Sequence, residues 1–304
     1  MGGDLLQTGQ IIRALSGFYD VQSEHKIYRT RARGNFRKRK ITPLVGDFVE
    51  FESESQTESG YILEILDRKN EMIRPPVANI DQAVVIVSAV EPDFSLNLLD
   101  RFLIYLESLN IQGLVYLTKT DMISDEKYQE IKQYLDYYEK VGYPTFAPRT
   151  AFTPEIIQAI EDTFPDKTTV FTGQTGAGKS TLLNHIDPKL NLATAEISQS
   201  LNRGKHTTRH IELIPLNDGL VGDTPGFSSL GILNVTSETL VSRYPEFREI
   251  GQDCKFRTCQ HVMESKCAVK AAVDAGEIMQ SRYTNYLQFR AELKDIRPVY
   301  KKSK

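Results

Sequence analysis

Apolar and polar positions alternate in short runs over the first 70 residues. The runs are Gln7 to Leu15, Phe18 to Gln22, Lys26 to Arg33, Asp47 to Phe51 and Tyr61 to Leu66. A period of two with β-branched and aromatic residues predicts about five strands. Ser16-Gly17, Gly34-Asn35 with a longer basic loop, and the polar stretch Glu52 to Gly60 separate them. After Arg74-Pro75-Pro76 the pattern changes. Ala83 to Val87 is continuously apolar, Leu98, Leu99, Phe102, Leu103, Leu106 and Leu109 recur at three-and-four spacing, and Leu114 to Leu117 is apolar again. Helical patterns over 125–140 and 154–163 follow, with extended pieces at 145–147 and 168–172. Ile211 to Leu216, the turn Asn217-Asp218-Gly219 and Leu220 to Gly222 read as a hairpin. Two flanking helices are predicted near the end, over about 238–249 and 269–295.

Five strands in about 65 residues predict a small barrel of the OB type. Strand alternating with helix predicts an α/β domain with a mostly parallel sheet covered on both sides. At 304 residues the chain has room for two domains or three small ones. The composition, 40% hydrophobic and 25% charged, is that of a soluble protein. No run of 18 apolar residues exists and the amino terminus lacks the shape of a signal peptide, which argues against membrane spanning and secretion.

Charge changes this picture in one place. Lys26 to Lys40 holds eight Lys or Arg and no acid, within a chain of net charge −3. The cations Arg29, Arg31, Arg33, Arg37, Lys38, Arg39 and Lys40 are interleaved with Tyr28 and Phe36. Alternation puts Arg29, Arg31 and Arg33 on one strand face, a row suited to phosphates, with aromatics nearby to stack on bases. These residues are candidates for RNA binding.

The chemistry centres on Gly173-Gln174-Thr175-Gly176-Ala177-Gly178-Lys179-Ser180-Thr181, which fits G-x-x-x-x-G-K-[S/T] directly after a buried strand. The glycines let successive N–H groups turn inward, and the following helix adds its positive end. Lys179 reaches the β- and γ-phosphates, Ser180 offers a hydroxyl to Mg²⁺, and Thr181 lies near the α-phosphate. Thr118-Lys119-Thr120-Asp121 ends the Leu114 strand. A carboxylate there accepts from the N1–H and 2-amino group of guanine, donors that adenine does not present in that arrangement. Lys119 lays its stem along the base and Thr118 braces the loop.

Leu190 to His210 is polar and ends in Arg203-Gly-Lys-His-Thr-Thr-Arg-His210. It reads as a loop ordering over the γ-phosphate, with Thr207 or Thr208 as the Mg²⁺ ligand. The hairpin delivers Asp223-Thr-Pro-Gly226, a D-x-x-G motif in which Asp223 binds Mg²⁺ through a water and the Gly226 N–H senses the γ-phosphate. Phe227 follows, where Ras-type enzymes carry a Gln that orients the attacking water. A phenyl ring cannot do this. His206 is the favoured candidate, and a partner macromolecule is the alternative.

Cys254, Cys259, His261 and Cys267 follow the pattern C-x4-C-x-H-x5-C and hold all three cysteines of the chain. Three thiolates and an imidazole suit one structural Zn²⁺. An odd cysteine count within 14 residues does not suggest disulfides, and a reducing cytoplasm fits better.

The motif order is unusual: Asp121 lies 52 residues before Gly173, so the base motif precedes the phosphate loop, the switch loop and D-x-x-G. That order resembles a circularly permuted GTPase. With an OB-type amino domain, Arg74-Pro-Pro-Val-Ala-Asn-Ile-Asp-Gln82, Gly204-Lys-His-Thr-Thr208 and the cysteine pattern, the chain resembles the RsgA (YjeQ/YloQ) family along essentially its whole length.

The resemblance implies an OB RNA-binding domain over 1–72, a circularly permuted GTPase domain over 73–236 and a zinc-binding helical domain over 237–304. It implies a late assembly factor that binds the small ribosomal subunit and its ribosomal RNA and hydrolyses GTP there. It also implies a hydrophobic residue at 227, with the switch-loop His206 as the candidate for catalysis. Thr118, where many GTPases carry Asn, is a departure expected to trim guanine affinity. Pro148-Arg-Thr-Ala151 is the candidate for the other edge of the base pocket. A monomer with GTP or GDP and Mg²⁺ is expected. The alternative is an RNA-binding module in which bound nucleotide fixes domain orientation and hydrolysis is incidental.

Overall fold

The computed structural model describes residues 6–24, 26–39, 41–53, 59–73, 75–192, 211–224, 231–232 and 234–295. The chain packs as two compact units, Met1–Ile86 with Phe152–Gly226, and Val87–Ala151 with Phe227–Lys304.

In the first unit, β1 (Leu6–Leu15), β2 (Phe18–Ser23), β3 (Lys26–Ala32), β4 (Phe48–Glu52) and β5 (Gly60–Ile65) close a barrel in the order β1-β2-β3-β5-β4. The hairpins β1–β2 and β2–β3 are antiparallel, and β3 meets β5 in parallel. This is the expected five-stranded OB-like barrel, with edges removed by closure. Alternation fills it with Ile11, Val21, Thr30, Val49, Phe51 and Ile62, all buried.

The basic segment after β3 is not the expected loop. Gly34–Arg39 forms a short helix, α1, whose Phe36 is 2% exposed. Burying the phenyl ring favours this turn of helix over an extended loop.

Beyond the barrel come β6 (Glu71–Ile73) and β7 (Pro76–Ala78), a short antiparallel pair. The same unit holds a sheet of β8 (Gln82–Ser88), β11 (Thr168–Gly173), β13 (Gly219–Asp223) and β12 (Leu213–Leu216). β11 runs parallel to both β8 and β13, and β12–β13 is antiparallel. Asn217 and Asp218 both take positive φ (46° and 57°), as a two-residue hairpin turn requires. Helices α4 (Pro154–Glu161) and α5 (Lys179–Ile186) belong to this unit.

The second unit contains α2 (Leu96–Ser108), β9 (Gln112–Thr118), α3 (Asp125–Lys140) and β10 (Thr145–Phe146), with β9 and β10 parallel. Helices α6 (Pro245–Ile250), α7 (Ala268–Asp274) and α8 (Gln280–Asp295) complete it. Two expected helices are interrupted. Over 238–249, a 3-10 turn (Leu240–Arg243) gives way to α6 because Pro245 holds Tyr244 extended at φ −111°, ψ 107°. Over 269–295, the chain breaks between α7 and α8, where Gly276 has φ 76°.

Leu240, Tyr244, Phe247, Val269, Ile278, Tyr286 and Phe289 form one core with Ile104 of α2. Tyr286 is thus a packing position. At its centre the Arg282 guanidinium, with no solvent exposure, donates to Asp100 at 2.5 Å and to Glu246 at 2.8 and 3.1 Å. Tyr138 and Asn285 donate to the same Asp100 carboxylate at 2.6 and 2.7 Å. Among the described residues no helix is long and apolar enough to cross a membrane.

Candidate functional site

The phosphate loop starts where β11 ends. All six residues of β11 are buried between parallel neighbours. Gly173 has φ 147°, and a Cβ there would collide with the Ile86 carbonyl of β8. Gly176 and Gly178 also take positive φ, 83° and 92°. Gly178 caps α5 and, lacking a side chain, makes no side-chain hydrogen bond to the first turn. Ala177 N donates to the Gln174 carbonyl at 3.1 Å and closes the turn. Ser180 and Thr181 lie in the first turn of α5.

Parallel pairing sets Phe171 of β11 opposite Asp223 at the end of β13. The Lys179 ammonium consequently ion-pairs with the Asp223 carboxylate. Thr224, fully buried, donates its N–H and Oγ1 to the Phe171 carbonyl at 3.1 and 2.8 Å. Asp223 is therefore held at the loop by backbone on both sides. Its carboxylate and the Ser180 hydroxyl are hard oxygen donors of the kind Mg²⁺ takes. Beside them, Leu183, Leu190, Leu192, Ile214, Val221 and Asp223 contribute to a mostly apolar hollow of about 280 Å³ to which no motif in the sequence points.

In the second unit the base motif follows β9. Thr118 is buried, donates Oγ1 to the Val87 carbonyl at 3.2 Å, and accepts from Ala89 N at 3.0 Å. These two bonds tie Thr118 to the backbone at Val87 and Ala89. Lys119 turns the chain at φ 56° and donates its ammonium to the Glu91 carbonyl. Thr120 is buried, and its hydroxyl donates to the carbonyls of Pro148 at 2.7 Å and Arg149 at 3.2 Å. Asp121 sits in the 3-10 turn Thr120–Met122 with its side chain exposed.

The four expected metal ligands converge, with their donor atoms all within 4.8 Å of one another. Cys254 Sγ lies 3.9 Å from Cys267 Sγ and 3.6 Å from His261 Nδ1, which is 3.3 Å from Cys267 Sγ. A tetrahedron with metal–sulfur bonds of about 2.3 Å has edges of roughly 3.7 Å, so the set fits one such ion. Burial pushes the Cys259 thiol up to about 12 and raises Cys267, while it lowers the His261 pKa. A neutral imidazole is ready to ligate. The thiols release their protons only to a cation.

Local backbone favours the thiolates. Ala268 N donates to Cys254 Sγ at 3.3 Å and Lys270 N to Cys267 Sγ at 3.4 Å, both at the start of α7. Glu264 orders the ligand loop by accepting from the N–H groups of Gln260, Val262 and Met263 at 2.8, 2.8 and 3.0 Å. Tyr283 and Tyr286 donate to the carbonyls of His261 and Gln260 at 2.7 and 2.6 Å. The sequence pattern names the four ligands and is silent about these supports.

On the barrel, Arg29 and Arg31 alternate along β3 and both cover the Phe18 ring, at 4.4 and 4.2 Å. The expected aromatic partners differ. Phe36 is buried, whereas Tyr28 is partly exposed and packs at a tilt against Phe51. Nor are all the cations uncompensated, since Arg33 pairs with Glu52 and Arg39 with Glu64. His206, Thr207, Thr208, Gly226, Phe227, Lys40 and the side chains of Arg37 and Lys38 lie outside the described residues.

Comparison with known proteins is decisive. A family profile described as RsgA GTPase matches residues 65–233, and one described as RsgA N-terminal domain matches 8–62. The chain belongs to the RsgA GTPase family. It is 99% identical to the Small ribosomal subunit biogenesis GTPase RsgA of Latilactobacillus sakei, over 98% of this chain and 100% of that one. It is 56% identical to the protein of the same name from Enterococcus faecalis, over 97% and 98%. Among solved structures it is similar to YloQ, a circularly permuted GTPase, with a TM-score of 0.83, 44% identity and 99% of each chain covered. As an RsgA-family member the protein is a GTPase, and the scrambled order of its motifs is that of a permuted one.

Proposed function

We propose that the protein binds Mg²⁺–GTP and hydrolyses it while bound to the small ribosomal subunit, acting late in that subunit's assembly and leaving on hydrolysis. The observation that carries this reading is the meeting of Lys179 and Asp223 at a glycine loop whose helix N-terminus has no side-chain cap. The loop N–H groups and Lys179 hold the β- and γ-phosphates, and Thr181 the α-phosphate. Ser180, Asp223 and one of Thr207 or Thr208 hold Mg²⁺, which neutralises phosphate charge when bound. Gly226 senses the γ-phosphate, and His206 orients the attacking water in place of the Gln that Phe227 replaces. Thr118, Lys119, Thr120 and Asp121 form the guanine side of the site, and Asp121 rejects adenine because its carboxylate finds no paired donors there.

Cys254, Cys259, His261 and Cys267 hold one structural Zn²⁺; with all four positions filled by protein, no site is left for substrate. Arg29 and Arg31, presented on Phe18, contact ribosomal RNA phosphates. The protein works as a cytoplasmic monomer. The names of these relatives support the ribosomal part of this reading.

The test is GTP turnover with and without purified small subunits, alongside co-sedimentation in a non-hydrolysable analogue and in GDP. Strong stimulation and analogue-dependent retention are expected. Equal slow turnover in both conditions overturns the reading, and near-normal stimulated turnover in His206→Ala removes His206 from it.

A further inference from the structure

The turn that carries Asp121 has no side-chain cap of its own. Three residues of 3-10 helix leave carbonyls without partners inside the turn, and Asp121 itself is exposed, so little besides backbone decides where its carboxylate points. One side chain takes up those carbonyls. The Arg149 guanidinium donates Nη1 to the Thr120 carbonyl and Nη2 to the Ile123 carbonyl at 3.1 Å, one residue before Asp121 and two after it. It also meets the Asp125 carboxylate at 2.8 and 3.0 Å and lies 5.4 Å from the Tyr128 ring centre.

The bonds are reciprocal. Thr120 Oγ1 donates back to the Pro148 and Arg149 carbonyls, and the Tyr128 hydroxyl donates to the Ala147 carbonyl at 2.7 Å. The segment 147–149 and the turn 120–123 are thus bound in both directions. A planar fork with several donors in fixed geometry is what two carbonyls and a carboxylate require at once, and an ammonium cannot match it.

We propose that Arg149 is a positioning residue for guanine selection. Its side chain fixes the backbone turn from which Asp121 projects, and so sets how tightly and how selectively the base is held, while the backbone of 148–151 is left to form the other edge of the pocket. This rests on the reading of Asp121 as the group that recognises the base.

The test measures binding of a fluorescent GDP analogue, and competition by GTP, ATP and xanthosine diphosphate, in the full-length wild type, Arg149→Ala, Arg149→Lys, Asp121→Asn and Asp121→Asn/Arg149→Ala. Loss of hydrogen bonds made by a charged group predicts about tenfold weaker GDP binding in Arg149→Ala, with the weak ATP affinity unchanged. The guanine-to-adenine ratio falls by the same factor, and KM for GTP rises while kcat holds. Arg149→Lys falls between. Asp121→Asn turns preference toward xanthosine diphosphate, and adding Arg149→Ala weakens that new affinity by the same factor.

A general folding defect would lower GDP and ATP binding together or reduce kcat, and either result overturns the proposal. Should Arg149→Ala melt early, the ratio in Arg149→Lys decides: an unchanged ratio there overturns it. If Asp121→Asn switches to xanthine while Arg149→Ala keeps wild-type discrimination, Arg149 alone is misassigned. If Asp121→Asn fails to switch, the base reading falls and this proposal with it.

Discussion

Lys179 ion-pairs with Asp223, 44 residues further along the chain, because parallel pairing sets Phe171 opposite Asp223. The phosphate-loop cation and the D-x-x-G carboxylate thereby share one place, where both a polyphosphate and its cation have to be met. Lys179→Ala is expected to lower single-turnover GTP hydrolysis on the small subunit by about 10²–10³-fold, the cost of removing one positioned charge from a reacting phosphate. Rapid-quench measurement checks it, and a loss below threefold removes Lys179 from the chemistry.

Arg29 and Arg31 share the face of Phe18, and among the described residues neither pairs with a carboxylate, in contrast to Arg33 and Arg39. Replacing both with Ala is expected to weaken small-subunit binding. It should reduce the slope of log affinity against log salt by about one per cation removed. Replacing Arg39 is expected to change the slope less. Filter binding over a salt series reads both, and an unchanged slope in the double variant counts against this face as the RNA contact.

The Arg282 guanidinium, Asp100 and Glu246 are buried together and satisfied by Tyr138 and Asn285. Removing the cation alone leaves two carboxylates in a water-poor core. Arg282→Met is therefore expected to destabilise the unit by about 3–5 kcal/mol, far more than the loss of one hydrogen bond. Adding Asp100→Asn and Glu246→Gln should recover a large part. Urea denaturation monitored by tyrosine fluorescence gives the comparison.

Burial works to raise the Glu264 pKa, but backbone N–H groups from Gln260, Val262, Met263 and its own residue outweigh it and hold the carboxyl at about 2, below its ordinary 4.5. A depressed folded-state pKa stabilises the fold above pH 4.5, and that contribution is lost as pH falls toward 2. The stability gap between wild type and Glu264→Gln is expected to be full at neutral pH and to narrow through this window. Thermal melts at a series of pH values check the sign; a gap that widens in acid contradicts it.

Much of the fold was readable in one dimension because it repeats short physical rules. Period-two alternation placed the five barrel strands to within a residue or so, and Asn217-Asp218-Gly219 announced its hairpin by residues that tolerate positive φ. The helix expected over 238–249 failed at Pro245, a local signal that the apolar pattern outvoted. Glycines at 173, 176 and 178 and the spacing of three cysteines and a histidine are likewise local chemistry, and they named the glycine loop and a set of four side chains that converge.

What the linear chain determined, then, was a set of candidate groups, since each is specified by residue type and spacing within a few positions. Only tertiary structure decided which side chains support them. Phe36 went into the core and left Phe18 beneath two arginines. Arg282 found Asp100 across 182 positions, and Arg149 closed on a turn 29 residues away. No periodicity carries such pairings, because a hydrogen bond between distant segments depends on where the folded backbone brings them, and that is settled by the burial of the whole core rather than by neighbours in sequence.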